Sequence, residues 1–150
     1  MSVIRLTKEF TFEAAHMLEG YDGLCREIHG HSYRLFVTIK GEPQGDEQSP
    51  KLGMVMDFGL LKRIVNEQIV ERLDHSFMMR RTPDAEQIAA ELGGHFRRVV
   101  LTDYQPTTEN LLSDFAERLL GALPDEVELC KLKLHETATS FGEWYASDNF

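Results

Sequence analysis

Apolar and polar residues alternate at period two from Val3 to Ala14. Ile4, Leu6, Phe10, Phe12 and Ala14 share one face, and Arg5, Thr7, Glu9, Thr11 and Glu13 the other, with Lys8 the one breach. An alternation of this length fits a strand buried on one side. The pattern returns from His31 to Lys40, where Tyr33, Leu35, Val37 and Ile39 share a face, and again from Val127 to Glu136. Phe141–Tyr145 is expected to be a last strand, joined to the preceding one by a turn at Thr137–Ser140. Between these strands the period becomes helical. Asp57 is placed to cap a helix reaching about Arg72, with Leu61, Ile64, Val65, Ile69 and Leu73 inward. Pro106-Thr107-Thr108-Glu109 opens a second long helix carrying Leu111, Leu112, Phe115, Leu119 and Leu120. Thr82-Pro83 starts a shorter inserted helix with Ile88, Ala89 and Leu92 inward, stopped by Gly93-Gly94, and Phe96–Leu101 adds a short extended piece. The expected architecture is one α+β domain over residues 1–150 in ββααββ order. Its four-stranded antiparallel sheet carries two long helices on one face.

Composition bounds the function. A hydrophobic content of 42% excludes general disorder. No apolar run approaches the length of a membrane span, and Met1–Leu6 lacks the apolar core of a signal peptide, so a cytoplasmic, soluble protein is expected. The two cysteines, Cys25 and Cys130, are read as reduced thiols. A net charge of −9 argues against nucleic-acid binding, but a few basic residues can still line a pocket for a small phosphorylated substrate.

His16 continues the apolar parity just past the first strand. His29 and His31 are two apart, so in extended backbone both imidazoles point the same way. Three histidines leaving one open position suit a catalytic zinc site, with Cys25 nearby as base or nucleophile. A structural site closed by Cys25 as fourth ligand is the competing reading. Asp74-His75, at a helix end, fits either a surface pair or a proton relay in which the carboxylate orients the imidazole. Glu109 at a helix start and Glu136 at a strand end have equally ordinary readings, as a dipole-favoured residue and a turn residue.

Taken in order, Phe10 to His16, Cys25 to His31, Asp57-Phe58, Leu73 to His75, Pro106 to Asn110 and Glu136-Thr137 resemble the motifs of the 6-pyruvoyltetrahydropterin synthase family. The three-residue gap between Cys25 and His29 is similar to that of the bacterial 6-carboxy-5,6,7,8-tetrahydropterin synthases of queuosine biosynthesis. The resemblance implies a tunnelling fold (T-fold) whose sheets close into a β-barrel in a trimer or a dimer of trimers, a homohexamer. It implies zinc on His16, His29 and His31, Cys25 as base, and Asp74, His75 and Glu136 as further catalytic groups, with Asp74 and His75 serving the Cys25 of a neighbour. Glu109 is the implied anchor for the pterin ring, with Thr107 and Thr108 beside it and Glu136 the competing choice. The implied substrate is 7,8-dihydroneopterin triphosphate, split to 6-carboxytetrahydropterin, acetaldehyde and triphosphate. The alternatives are a pyruvoyl-forming synthase that eliminates triphosphate from the same substrate, and a non-catalytic, zinc-stabilised pterin-binding module. Two features depart from the family pattern. Met78-Met79 stand where Asn is common, and residues 80–105 exceed the length of the compact bacterial members.

Overall fold

The computed structural model describes residues 2–150; Met1, included in the expected domain, lies outside them. β1 (Ile4–His16) and β2 (His29–Gly41) form a long antiparallel hairpin, with Ile4 opposite Gly41 and His16 opposite His29. β5 (Glu128–His135) pairs with β2, and β6 (Phe141–Tyr145) with β5, both antiparallel. These four strands are the ones expected, three from the alternation and β6 from the turn that follows β5. The sheet is larger than expected, however. β3 (Ser76–Arg80) adds in parallel to Ala14–His16 of β1, and β4 (Val99–Thr102) adds in parallel to β3. The result is a six-stranded mixed sheet of order β4-β3-β1-β2-β5-β6, not a purely antiparallel sheet of four.

Asp57 caps α1 (Phe58–Val65), its carboxylate accepting from the Gly59 amide at 2.8 Å. The expected single α-helix is interrupted: α1 passes into a π turn (Asn66–Val70) and ends in α2 (Glu71–Leu73). The cause lies in the apolar spacing. Leu61, Val65, Ile69 and Leu73 recur every four residues and are all buried. On a regular helix a four-residue step overshoots a full circle by about 40°, so the wider turn rolls the stripe back onto the sheet. α3 (Pro83–Leu92) begins at the Thr82 cap, as expected. α4 (Thr108–Ala122) is capped by Thr107, and the four-residue α5 (Ala146–Asn149), unexpected from sequence, ends the chain.

Phe12, Tyr33, Leu35, Val37, Ile39, Leu132 and Leu134 of the sheet form one core with Leu61 and Ile69 below the first helix and Leu111, Phe115 and Leu119 of α4. Each fully buried side chain of this kind contributes roughly 1.5–3 kcal/mol. Two expected inward residues are exposed, Ile4 at 40% and Leu120 at 45%. Lys8, the breach in the pattern, lays its ammonium 5.9 Å from the centre of the Phe10 ring. The opposite sheet face is polar, with Thr7 bonded to Thr38 at 2.7 Å and Arg34 to Glu9 at 2.7 Å. Because β3 covers only Ala14–His16, the outer edge of β1 before Ala14 has no strand partner among the described residues; nor does that of β6. Among the described residues, no helix is long and apolar enough to cross a membrane.

Candidate active site around three histidines

The face of β1 and β2 that carries the core ends in imidazoles. His16, last on β1, lies opposite His29, first on β2, and His31 lies opposite Ala14. One ligand atom from each of the three histidines falls within 4.8 Å of the others. His16 is 1% exposed, and its Nδ1 sits 2.8 Å from the Pro106 carbonyl; His29 Nδ1 sits 2.8 Å from the Glu27 carbonyl. A carbonyl can only accept, so each Nδ1 carries the proton and each Nε2 is left a bare lone pair. Those two Nε2 atoms face each other at 3.0 Å. Two converging lone pairs repel unless a cation lies between them, so the donor set fits a metal ion. His31 Nε2 is buried and, among the described residues, has only the Glu136 carboxylate close to it, Oε1 standing 3.3 Å away without forming a hydrogen bond. Cys25 is exposed on a short 3-10 turn (Leu24–Arg26) and is not part of the convergent set.

Burial pushes His16 and His31 below the ordinary imidazole range; the Pro106 carbonyl opposes this at His16, and the Glu136 carboxylate opposes it at His31. As pH falls through about 6.5, these imidazoles gain protons in the unfolded chain but resist them in the fold. The unfolded state then binds more protons, so metal-free protein should lose stability below about pH 6.5 and level off only below the depressed folded values. Urea midpoints of chelator-treated protein between about pH 8 and 5.5 check this; a flat or rising midpoint on acidification contradicts it.

Cys25, Glu109, Glu136, Thr107, Thr108 and Gln105 border one cavity of about 500 Å³ beside the histidines. Thr107 and Thr108, expected against substrate, also have structural partners. The Thr107 hydroxyl accepts from the Asn110 amide, and the Thr108 hydroxyl donates to Glu136 Oε2 at 2.7 Å. Glu136 is thereby held between α4 and His31. Three contributors escaped the sequence reading. Pro106 acts through its backbone carbonyl, which no side-chain pattern reveals. Gln105 donates from Nε2 to the Glu19 carbonyl at 2.8 Å and so ties the 17–28 loop to the cavity wall. Tyr33 lies beneath His31 at a ring-centre distance of 5.6 Å, its hydroxyl buried and unpartnered among the described residues. Burial and the Glu136 charge push that phenol well above its ordinary range, so it stays neutral.

Asp74 and His75 lie elsewhere. His75 borders a separate cavity on the His31 side, of about 300 Å³, together with Glu13, Gly30 and Ser32. Asp74 Oδ1 accepts from the Glu13 amide at 2.9 Å and stands 3.1 Å from His75 Nδ1. The Glu13 amide bond, opposed by desolvation and aided by His75, holds the Asp74 carboxyl below its usual range. His75 has φ +60°, a left-handed conformation that costs a non-glycine residue about 1–2 kcal/mol. Its amide bonds to the Glu13 carbonyl at 2.6 Å and its side chain is 76% exposed. Within one chain, then, the cavity of Cys25 and the cavity of His75 are distinct.

The model of the family described as 6-pyruvoyl tetrahydropterin synthase matches residues 5–146. The chain belongs to this family. A Haemophilus influenzae relative named 6-carboxy-5,6,7,8-tetrahydropterin synthase is 34% identical over 143 residues, covering 95% of this chain and 99% of its own. The fold agrees with a solved uncharacterized protein from Wolinella succinogenes at TM-score 0.74 and 22% identity, covering 97% and 99% of the two chains. It also agrees with the Caenorhabditis elegans 6-pyruvoyl tetrahydropterin synthase at TM-score 0.68 and 22% identity, covering 97% of each.

Proposed function

We propose that this chain is a zinc-dependent 6-carboxy-5,6,7,8-tetrahydropterin synthase of queuosine biosynthesis. It converts 7,8-dihydroneopterin triphosphate to 6-carboxytetrahydropterin, acetaldehyde and triphosphate. What carries the reading is the full-length likeness to a relative of that name. The cavity holding Cys25 and Glu109 together beside three convergent imidazoles agrees with it.

His16, His29 and His31 hold the zinc, which when bound supplies a Lewis acid that favours ionisation of the substrate's side-chain hydroxyls. Cys25 is the base that removes a proton from the three-carbon side chain. Glu109 accepts adjacent N–H donors of the pterin side by side, fixing the ring. Thr107 and Thr108 line its approach, and Glu136, braced by Thr108, completes the wall next to His31. The unpaired outer edges of β1 and β6 favour closure of the sheet with further copies, because free edges of this length invite pairing. In such a trimer or dimer of trimers, Asp74 and His75 reach the Cys25 of a neighbour and His75 relays protons. The enzyme is placed in the cytoplasm.

Simple elimination divides the atoms of the substrate between triphosphate and a pyruvoyl product, whereas release of acetaldehyde with a carboxylate consumes one water. Mass spectrometry after incubation with dihydroneopterin triphosphate is therefore expected to show 6-carboxytetrahydropterin and acetaldehyde. The pyruvoyl product alone would move the assignment to the pyruvoyl-forming synthase. No turnover by zinc-loaded protein would leave only the binding-module reading.

A further inference from the structure

We infer that Arg98, carried to the foot of β4 by the long 80–105 segment, is a positioning residue that holds the Asp74–His75 turn in its left-handed conformation. The inference rests on the reading of His75 as a proton relay. The backbone leaves the helix at Asp74, where the last carbonyls have no partners within the helix. Arg98 fills that gap from outside. Its Nε donates to the Asp74 carbonyl at 2.8 Å, and its terminal amino group donates to the Glu71 carbonyl. One planar fork thus bonds two carbonyls at a helix C-terminus, where positive charge is favoured. The same residue grips the far side of His75, because the Phe77 amide donates to the Arg98 carbonyl at 2.9 Å. His75 is then bracketed: Arg98 binds on both sides, and Glu13 binds the Asp74 carboxylate and the His75 amide from β1.

Among the described residues no hydrogen bond or ion pair joins Arg98 to the side chain of Glu71 or Asp74; its bonds are to backbone oxygens, and its charge reaches the Asp74 carboxylate only as the weakest of the influences that lower its pKa. The guanidinium therefore fixes where the turn lies rather than pairing with the Asp74 carboxylate. Arg98 borders neither the Cys25 cavity nor the His31 side cavity. Substitution should change how His75 is presented and leave zinc and pterin binding alone.

Arg98→Ala is expected to lower kcat about 5- to 20-fold with KM and zinc content within twofold of wild type. Hydrogen–deuterium exchange should quicken in the peptide spanning 71–77, where the Glu71 and Asp74 carbonyls lose their donor and the turn that holds the His75 amide against the Glu13 carbonyl loosens, and stay unchanged over β2 and α4. Arg98→Lys, able to reach one carbonyl, should recover part of the kcat, and the adjacent Arg97→Ala should behave as wild type. Should Arg98→Ala not fold, Arg98→Lys decides by the same local exchange and kcat readouts. Wild-type kcat and wild-type exchange at 71–77 in the substituted protein overturn the inference, provided His75→Ala is inactive. An active His75→Ala instead removes the relay reading beneath it.

Discussion

Cys25→Ala should retain one zinc ion per chain, melt as the wild type does, and lose about 10²- to 10⁴-fold in kcat, the usual range for deleting a general base. The three parts of that expectation have separate grounds. Zinc stays because the convergent nitrogens belong to His16, His29 and His31 alone. Stability stays because the Cys25 side chain is exposed on a three-residue turn and contributes nothing to the core; the turn is held by its backbone, Leu18 donating to the Cys25 carbonyl at 3.2 Å. Turnover falls because, in the proposed reaction, no other thiol can take its place. Cys130 is on β5, within hydrogen-bond reach of Arg5 on the polar sheet face and away from the cavity. Elemental analysis, a thermal melt and single-turnover product assays on one preparation separate the outcomes. Loss of zinc along with activity would revive the closed Cys-His₃ site. Retained activity would remove Cys25 from the chemistry.

What the sequence revealed depended on how each segment is buried. β1 and β2 are each covered on one face, so their apolar residues repeat at period two and are easily read; β5 keeps that repeat on either side of a register shift against β2, and β6 is read from the turn that joins it to β5. β3 is covered on both faces. Met78 joins the main core while Met79, equally buried, borders a small cavity with Ala85 and Ile88 of α3, so Ser76–Arg80 shows no alternation. That is why a sheet of four was expected. The histidines were legible by type and spacing, because His-x-His in a strand can only point one way. Their environment was not. Glu136 meets His31 only because β5 pairs with β2 in a register that sets Arg34 opposite His135, a long-range fact. The Pro106 carbonyl that fixes His16, and the Arg98 fork behind His75, are tertiary contacts between distant segments and leave no local pattern.

His16→Ala should weaken zinc by more than about 100-fold, beyond what losing an orienting partner alone costs a metal site. It should also destabilise the metal-free protein by about 1–3 kcal/mol, because the buried Pro106 carbonyl loses its donor. His31→Ala should lose zinc to a similar degree but cost the metal-free fold less. Its Nε2 stands 3.3 Å from Glu136 Oε1, a carboxylate also held by the Thr108 hydroxyl, so its removal leaves no buried carbonyl without a donor. The contrast separates metal binding from packing. If both variants merely damaged the fold, their metal-free melts would fall in step with their zinc loss. If the trio is the metal site, the two variants share the zinc defect and differ in metal-free stability, His16→Ala being the weaker. Competition with a chelator of known affinity, followed by urea unfolding after exhaustive chelation, measures both. Stoichiometric zinc in His16→Ala under that competition would show that the ion is held elsewhere. The metal-free wild type is expected to remain folded throughout, since the core from Phe10 to Leu134 is assembled from apolar side chains and does not depend on the ion.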